Sequence, residues 1–560
     1  MPAEIEEAVT IGSPANALLR NVGTLLLVLA ALGLQWHAFS ILFDSSLHGD
    51  AAKHYTSGVL VFDYLHSGLG SKPMPFAESF EVRYPLVGIG QWPPMYYVIQ
   101  GLFYFVAGPS IRSAQILSAL IAASVAFLVF ATLRRMSTQT AFVAAAIFLA
   151  TPLIQSAAWE VMSDLLTGFF VLLAIVAFAR LLDSPDNWKA AAVIAVCSIA
   201  AVLSKGSAWA LGLFFLIAPL LCRRPRFFIS RWFIGSVLAL ILCGSIFYVV
   251  AARSGFGYPT RFPHYLSVDL QERLSTLRRV SAFAPPTLIA AGFIGTIIAF
   301  HRRWLVKSSS SLDTLLLTAA AWVLSQLLFL FILPMTPEPR VLTPSLAPLV
   351  MLAVCFLQWL GNWLADKNPV VAALAPLMVG AIIMLTCLAS SLSRLDGFRE
   401  AANAMPYPPD GALILVASND WSGEEEVIAE RLSHDPSHRD VILRGTHVLA
   451  DVDADRKDVP LFTSPEAVRA YLLEMPVQFV VLGSPPYDFA FLPLIEKAVT
   501  DDPQDFHLIA QVPLVAEPGG HVTGNLRIFE NPAGRDHHPS VVRTRLGSYA
   551  GRRILEYHWK

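Results

Sequence analysis

An α-helical polytopic membrane protein, with about eleven spans and a small α/β domain at its C-terminal end, is the fold class this sequence predicts. Three observations predict it. The 560 residues are 55% hydrophobic and only 15% charged, where a soluble chain carries roughly 25% charged residues. Apolar runs of spanning length, about 20 residues each, recur between residues 20 and 391. After Ser391 the composition becomes that of ordinary soluble sequence.

The runs lie near residues 20–43, 111–133, 138–157, 163–182, 188–204, 207–222, 232–252, 284–300, 312–333, 341–360 and 369–391. The opening MPAEIEEAVT is acidic and no A-x-A site follows the first run, so that run reads as a retained anchor. Pro93–Ala107 is apolar but short, and it opens with two prolines. It reads as a juxtamembrane or re-entrant helix.

The positive-inside rule supports this arrangement. With a cytoplasmic N-terminus and a non-crossing Pro93–Ala107, the inner loops receive Arg134-Arg135, Lys189, Arg223-Arg224-Pro225-Arg226, His301-Arg302-Arg303 and Lys367. The outer loops are then 44–110, Trp159–Ser163, Lys205-Gly206, 253–283 and Pro334–Arg340. The 253–283 loop, with Arg253, Arg261, Arg273, Arg278 and Arg279, runs against the trend. Counting Pro93–Ala107 as a span would put the basic clusters outside.

Three parts follow: a membrane-embedded domain over 1–395, an extracytoplasmic α/β domain over 396–535, and a basic tail over 536–560. In the second part GALILVAS and QFVVLG read as strands, GEEEVIAERLS, SPEAVRAYLLEM and DFAFLPLIEKAV as helices, and LRIFENP as a late strand. Alternation of this kind predicts an α/β layer. Its glycines make no G-x-G-x-x-G fingerprint. The tail reads as disordered, or as resting on anionic headgroups. The five cysteines fall in or beside apolar runs, with no CxxC spacing, and read as small buried hydrophobes. A net charge of −2 is uninformative about partners, and no basic stripe points to nucleic acid.

The ionisable residues gather in the predicted outer turns. Asp50 stands in the first outer loop; Glu160 and Asp164 open the span near 163; Lys205 and Arg340 occupy later outer turns, the last beside Glu338. The i, i+4 spacing of Glu160 and Asp164 predicts one shared helical face. Ionisable groups at one depth of a membrane are costly unless they pair or bind something. Carboxylates beside a Lys and an Arg therefore point to a pocket with an acid/base end and an anion-binding end.

Five local patterns carry a resemblance. They are His48-Gly49-Asp50-Ala51-Ala52-Lys53-His54-Tyr55, Trp92-Pro93-Pro94-Met95-Tyr96-Tyr97, Trp159-Glu160-Val161-Met162-Ser163-Asp164-Leu165-Leu166, Ser204-Lys205-Gly206 and Arg340-Val341-Leu342-Thr343-Pro344. In order and spacing, across residues 1–360, the chain resembles the GT-C superfamily of integral-membrane glycosyltransferases, in the branch of the aminoarabinose transferases and protein O-mannosyltransferases. Two positions depart from the pattern. Ala51 stands where the family has a second acidic residue, and Trp159 where it commonly has an Arg.

The resemblance implies transfer of a sugar from a polyprenyl-phosphate donor to an acceptor hydroxyl at the outer face of the cytoplasmic membrane, by inverting single displacement. It makes Asp50 the candidate base, alone or sharing the work with Glu160 and Asp164. A site beside apolar lipid should raise the pKa of that base. Lys205 and Arg340, with Arg83 or an arginine of the 253–283 loop, are candidates for the donor phosphate. His54, Tyr55 and Tyr96 are further substrate-binding candidates, as is His264. No cofactor is certain. Some relatives use a divalent metal, and Asp50, Glu160, Asp164, His48 and His54 are side chains able to ligate one, though their spacing fixes no ligand set. The expected partners are the lipid-linked donor, membrane lipid, and a lipid, glycan or protein acceptor. Two other classes compete: a transporter or flippase of lipid-linked sugars, which should place ionisable residues near the bilayer midplane, and a membrane-anchored binding module built around residues 397–560.

Overall fold

The computed structural model describes residues 22–559, apart from 24, 34–48, 89, 254–265, 309, 335–337, 366, 389–393, 420, 436, 453–457, 518–519, 535–538 and 546–553. The first predicted span lies largely outside the described residues, although 25–33 are helical. The other ten apolar runs all form helices. Six helices are long and apolar enough to cross a membrane: Ile111–Leu133, Asp164–Asp183, Arg231–Arg253, Ser311–Ile332, Pro339–Ala365 and Val370–Leu388. Two bent pairs bring the number to eight: Thr138–Ala150 with Pro152–Trp159 at 57°, and Leu270–Phe283 with Pro286–Trp304 at 100°. Both bends fall at proline, which cannot continue the hydrogen-bond ladder of a preceding helix. Trp188–Ser204 and Gly206–Leu221 are shorter apolar helices. Among the described residues six to eight helices thus meet the length and composition of a span, and a count of about eleven is not confirmed.

The bundle sorts its helices by packing. Asp164–Asp183 and Pro339–Ala365 are central and largely buried, whereas Arg231–Arg253 and Val370–Leu388 leave most of their surface outward. Small residues permit the closest approach. A Cβ on Gly295 would fall 1.9 Å from the Leu352 carbonyl oxygen, so these two helices meet backbone to backbone. Four cysteines are buried, but Cys243 is exposed on an outward helix face.

The predicted first outer loop is ordered into three helices, Asp50–Asp63, Pro73–Arg83 and Met95–Ala107. The last of these, 13 residues long, packs on the first.

The C-terminal part is a six-stranded sheet. Across it the strands run Arg394–Asp396, His507–Glu517, His521–Glu530, Phe479–Gly483, Leu413–Ala417, Val441–Arg444. The last three are mutually parallel, and the first three join as an antiparallel edge. Alternation along Leu413–Ala417 sends Ile414 and Val416 to one face with Val427 and Ile428 of the helix Trp421–His434. Leu413, Leu415 and Ala417 go to the other, with Leu492 and Ile495 of Leu492–Thr500. The tail is not simply basic and unstructured: Val541–Arg545 pairs antiparallel with Ile554–His558, and Val542 and Leu555 join the domain core.

This domain is docked, not tethered. Val82, from the first outer loop, belongs to its core. The Tyr84 hydroxyl donates to Asp435 at 3.0 Å, and His438 pairs with Asp63 at 2.8 Å. The domain thus sits at the bundle end that carries Asp50. The basic turns gather at the opposite end, where Arg303 donates to the Cys222 carbonyl at 2.9 Å and Arg302 pairs with Asp313 at 3.1 Å.

Candidate active site

Asp50 is the first residue of its helix. Gly49 precedes it with φ 51, a left-handed conformation that glycine adopts without steric cost. An acidic first turn also suits the positive end of the helix dipole. The Asp50 carboxylate faces Arg340, whose Nη2 lies 2.5 Å from Oδ2, and Lys53, whose Nζ lies 3.8 Å from Oδ1.

Arg340 sits in the short 3-10 turn Pro339–Leu342. The Gln326 amide donates to the Val341 carbonyl at 2.5 Å and fixes that turn against the neighbouring helix. Arg340 also contacts Met162 Sδ at 3.0 Å and pairs with Glu338 through Nε. Asp164, fully buried, accepts Lys205 Nζ on both carboxylate oxygens at 2.6 Å. Its helix packs against the segment that follows the Arg340 turn, where a Cβ on Gly168 would make an ordinary contact with Pro344 Cα at 3.4 Å. Asp50, Arg340, Asp164 and Lys205 therefore form two adjacent ion pairs, bridged by Met162.

Glu160 departs from its expected place. It caps the helix Pro152–Trp159 and accepts a hydrogen bond from Ser156 at 2.8 Å, whereas Asp164 begins the next helix. Between them Val161 has φ 57 and is fully buried. A β-branched residue in the left-handed region is strained, and such strain persists only where its surroundings impose it. The two carboxylates do not share one helical face; the Val161 break aims Asp164 at Lys205 and Met162 at Arg340.

The remaining candidates are packed. His54 is buried, with Nδ1 2.8 Å from the Tyr97 hydroxyl and its ring 4.9 Å from that of Trp92. Tyr96 is 3.3 Å from Ser118 through its hydroxyl, and Tyr55 donates to the Pro109 carbonyl at 2.9 Å. Both are fully buried and form the wall behind Asp50. Arg83 donates to the His438 carbonyl at 2.6 Å and serves the domain junction. In the 253–283 loop, Arg273 donates to the Phe331 and Ile332 carbonyls at 2.8 and 2.5 Å and caps a helix end. His48 and His264 lie outside the described residues.

A partner from the distant C-terminal domain is absent from the sequence motifs. Lys53 Nζ is 2.8 Å from Glu425. Glu425 and Glu424 both pair with the buried Arg444, at 3.3 and 3.1 Å. A chain of alternating charge thus runs from Asp50 into the domain.

The local electrostatics correct one expectation. Burial pushes the Asp50 carboxyl up, but Arg340 and Lys53 outweigh it and hold the group well below the usual carboxylate range. The raised pKa expected of a base beside lipid is not present while both cations face it. His54 is pushed down to about 3, first by burial and then by Lys205, Arg340 and Lys53, against the opposing pull of Asp50. Its ring is neutral.

A divalent metal fits these side chains poorly. No three His, Cys, Asp or Glu among the described residues converge as a ligand set. The oxygens of Asp164 are taken by Lys205, and Asp50 is committed to Arg340. No step below is routed through a metal.

A cavity of about 1060 Å³ adjoins the site. Leu153, Phe283, Ile289 and Phe293 make it mainly apolar, and it ends at Ser156, the partner of Glu160, and Pro339, the neighbour of Arg340.

Residues 91–248 match the family described as dolichyl-phosphate-mannose-protein mannosyltransferase. That stretch holds Tyr96, Glu160, Asp164 and Lys205; Asp50 and Arg340 lie outside it. In structure the chain is similar to ArnT from Cupriavidus metallidurans bound to undecaprenyl phosphate, with TM-score 0.55 and 15% identity over 91% of this chain and 98% of that one. The apo state of the same protein gives TM-score 0.54 and 14% identity over 92% and 98%. The Archaeoglobus fulgidus oligosaccharyltransferase in complex with Zn and sulfate gives TM-score 0.49 and 13% identity over 83% and 67%. No curated protein sequence matches the chain. The resemblance to the GT-C glycosyltransferases is borne out by the family match and the shared fold.

Proposed function

We propose that this chain, a membrane glycosyltransferase of the GT-C fold, transfers a glycosyl group from a polyprenyl-phosphate donor to an acceptor hydroxyl at the outer face of the cytoplasmic membrane. The observation that carries the reading is the Asp50–Arg340 pair, with an apolar cavity that reaches Pro339, the chain neighbour of Arg340. Such a cavity suits an isoprenoid chain, and Arg340, next in the chain to its lining Pro339, suits the attached phosphate. The gathering of basic turns at the far end of the bundle supports an outward-facing site with the C-terminal domain on the same side.

The chemistry follows from the charges. The acceptor oxygen attacks the anomeric carbon, and the bond from that carbon to the phosphate oxygen breaks. The electron pair leaves with the polyprenyl phosphate, and the hydroxyl proton passes to Asp50. Arg340 is placed to hold the phosphate as its charge grows, which lowers the barrier. A phosphate arriving at Arg340 competes with Asp50 for the guanidinium. Asp50 then loses the strongest cation holding its pKa down and becomes a better base. Lys205, already chelated by Asp164, acts chiefly by holding that helix end in place.

The test is purified protein with a panel of polyprenyl-phosphate sugars. Release of a sugar, dependent on Asp50, supports the reading. Vectorial movement of a lipid-linked sugar across liposomes without sugar release would replace it with transport.

A further inference from the structure

We infer that the C-terminal domain binds an uncharged saccharide unit in a crevice at the ends of its parallel strands, and that this crevice receives the acceptor. The second clause rests on the glycosyl-transfer reading; the first does not.

The sheet topology locates the crevice. The chain leaves Leu413–Ala417 toward the helix Trp421–His434 on one face, and leaves Phe479–Gly483 toward Leu492–Thr500 on the other. The two strands are adjacent and parallel, so their exits diverge and open a gap at their carboxyl ends. Ligands of open α/β sheets bind at such switch points. A cavity of about 370 Å³ lies there, at the small end of the range for small-molecule sites.

Its lining selects the ligand. Ser418, Asn419, Ser484, Thr523, Asn525 and Glu426 supply hydroxyls, amides and one carboxylate. Among the described residues no Lys or Arg lines it, so a phosphate or another anion finds no counter-charge there. Hydroxyls and amides both donate and accept, as sugar hydroxyls require. Phe398 and Leu514 add an apolar floor for the C–H face of a pyranose. The Asn419 side-chain nitrogen donates to the Ser484 and Pro486 carbonyls, both at 2.8 Å, which fixes the amide. Its oxygen is buried without a partner among the described residues. That acceptor is oriented and unsatisfied beside the crevice, so a small shift of the loop would present it to a donor such as a sugar hydroxyl.

Position ties the crevice to the site. Gly423 and Glu426 line it from the first turns of the helix Trp421–His434, and Glu425 of the same helix binds Lys53, one turn from Asp50.

Saturation-transfer NMR on the full chain in detergent tests the inference, with methyl glycosides of glucose, galactose, mannose and N-acetylglucosamine as probes and inorganic phosphate as control. At least one glycoside should bind and phosphate should not. Asn419→Ala, and independently Thr523→Trp at the exposed rim, should weaken that binding about tenfold or more, the second with an unchanged melting transition. Both should leave donor hydrolysis in the absence of acceptor unaltered. No glycoside bound, phosphate bound in its place, or binding indifferent to both substitutions would each overturn the inference. Absence of sugar transfer from any polyprenyl-phosphate donor by the wild-type chain would instead sink the transferase reading, while saccharide binding would stand or fall on the spectra.

Discussion

Two carboxylates stand side by side at one end of the bundle and are treated differently. The Asp164 side chain is fully buried and chelated by one lysine; that of Asp50 is 31% exposed and shared between an arginine and a lysine. A buried charge whose partner is removed stays in a medium that cannot solvate it, so Asp164 and Lys205 hold each other in place. A partly exposed pair exchanges with solvent or with an incoming anion at small cost. The first pair is built to persist and the second to open. The difference separates framework from chemistry more sharply than residue type does.

The largest effect should come from breaking the closed pair. Lys205→Ala leaves Asp164 uncompensated and is expected to cost about 3–5 kcal/mol, seen as a lowered melting temperature in detergent. The double change Lys205→Met with Asp164→Leu should recover most of it. Next comes Asp50→Asn, which should lower turnover about 10²–10⁴-fold while melting within about 1 kcal/mol of wild type. If Asp50→Asn unfolded the protein and Lys205→Ala did not, the assignment of framework and chemistry would be reversed.

Arg340→Lys keeps the charge but loses the fork that reaches Asp50, Glu338 and Met162 together. It should lower kcat/KM for donor about tenfold, chiefly through kcat. The smallest expected effect is a shift in pH dependence. The Asp50 carboxyl is depressed, so its contribution to stability is complete above the ordinary carboxylate range and is lost only as pH falls through the lower folded value. Lys53→Gln removes one depressing cation, so the acid limb of kcat/KM should move to higher pH. Glu425→Gln frees Lys53 for Asp50 and should move it the other way. Coincident profiles for the two variants would show that the charge chain from Glu425 does not reach Asp50.

The sequence carried much of this because charge in an apolar chain is conspicuous. Asp50, Asp164, Lys205 and Arg340 stood out as ionisable residues in outer turns, and the fold pairs them. Three C-terminal strands and the three longer helices followed from their periodicity, whereas strands such as Val441–Arg444 and His507–Glu517 did not. What stayed hidden has particular causes. The Val161 break is invisible because valine gives no signal for positive φ. Glu425 meets Lys53 across several hundred residues, a contact that no local pattern encodes. Tyr55, Tyr96 and His54 lie in motifs but face inward, since a short aromatic helix buries whichever face meets its neighbour. The tail hairpin was missed because charged strands such as Val541–Arg545 lack a clear alternation. The span count is the least legible feature, because apolar runs such as 188–204 form helices at the short limit of what a bilayer requires.

The most direct measurement is single-turnover transfer from a labelled polyprenyl-phosphate sugar by wild type and Asp50→Asn, with donor binding recorded on the same samples. Wild type should transfer, and the variant should bind donor as tightly while transferring at least about a hundredfold more slowly. A variant that transfers at the wild-type rate would contradict the account.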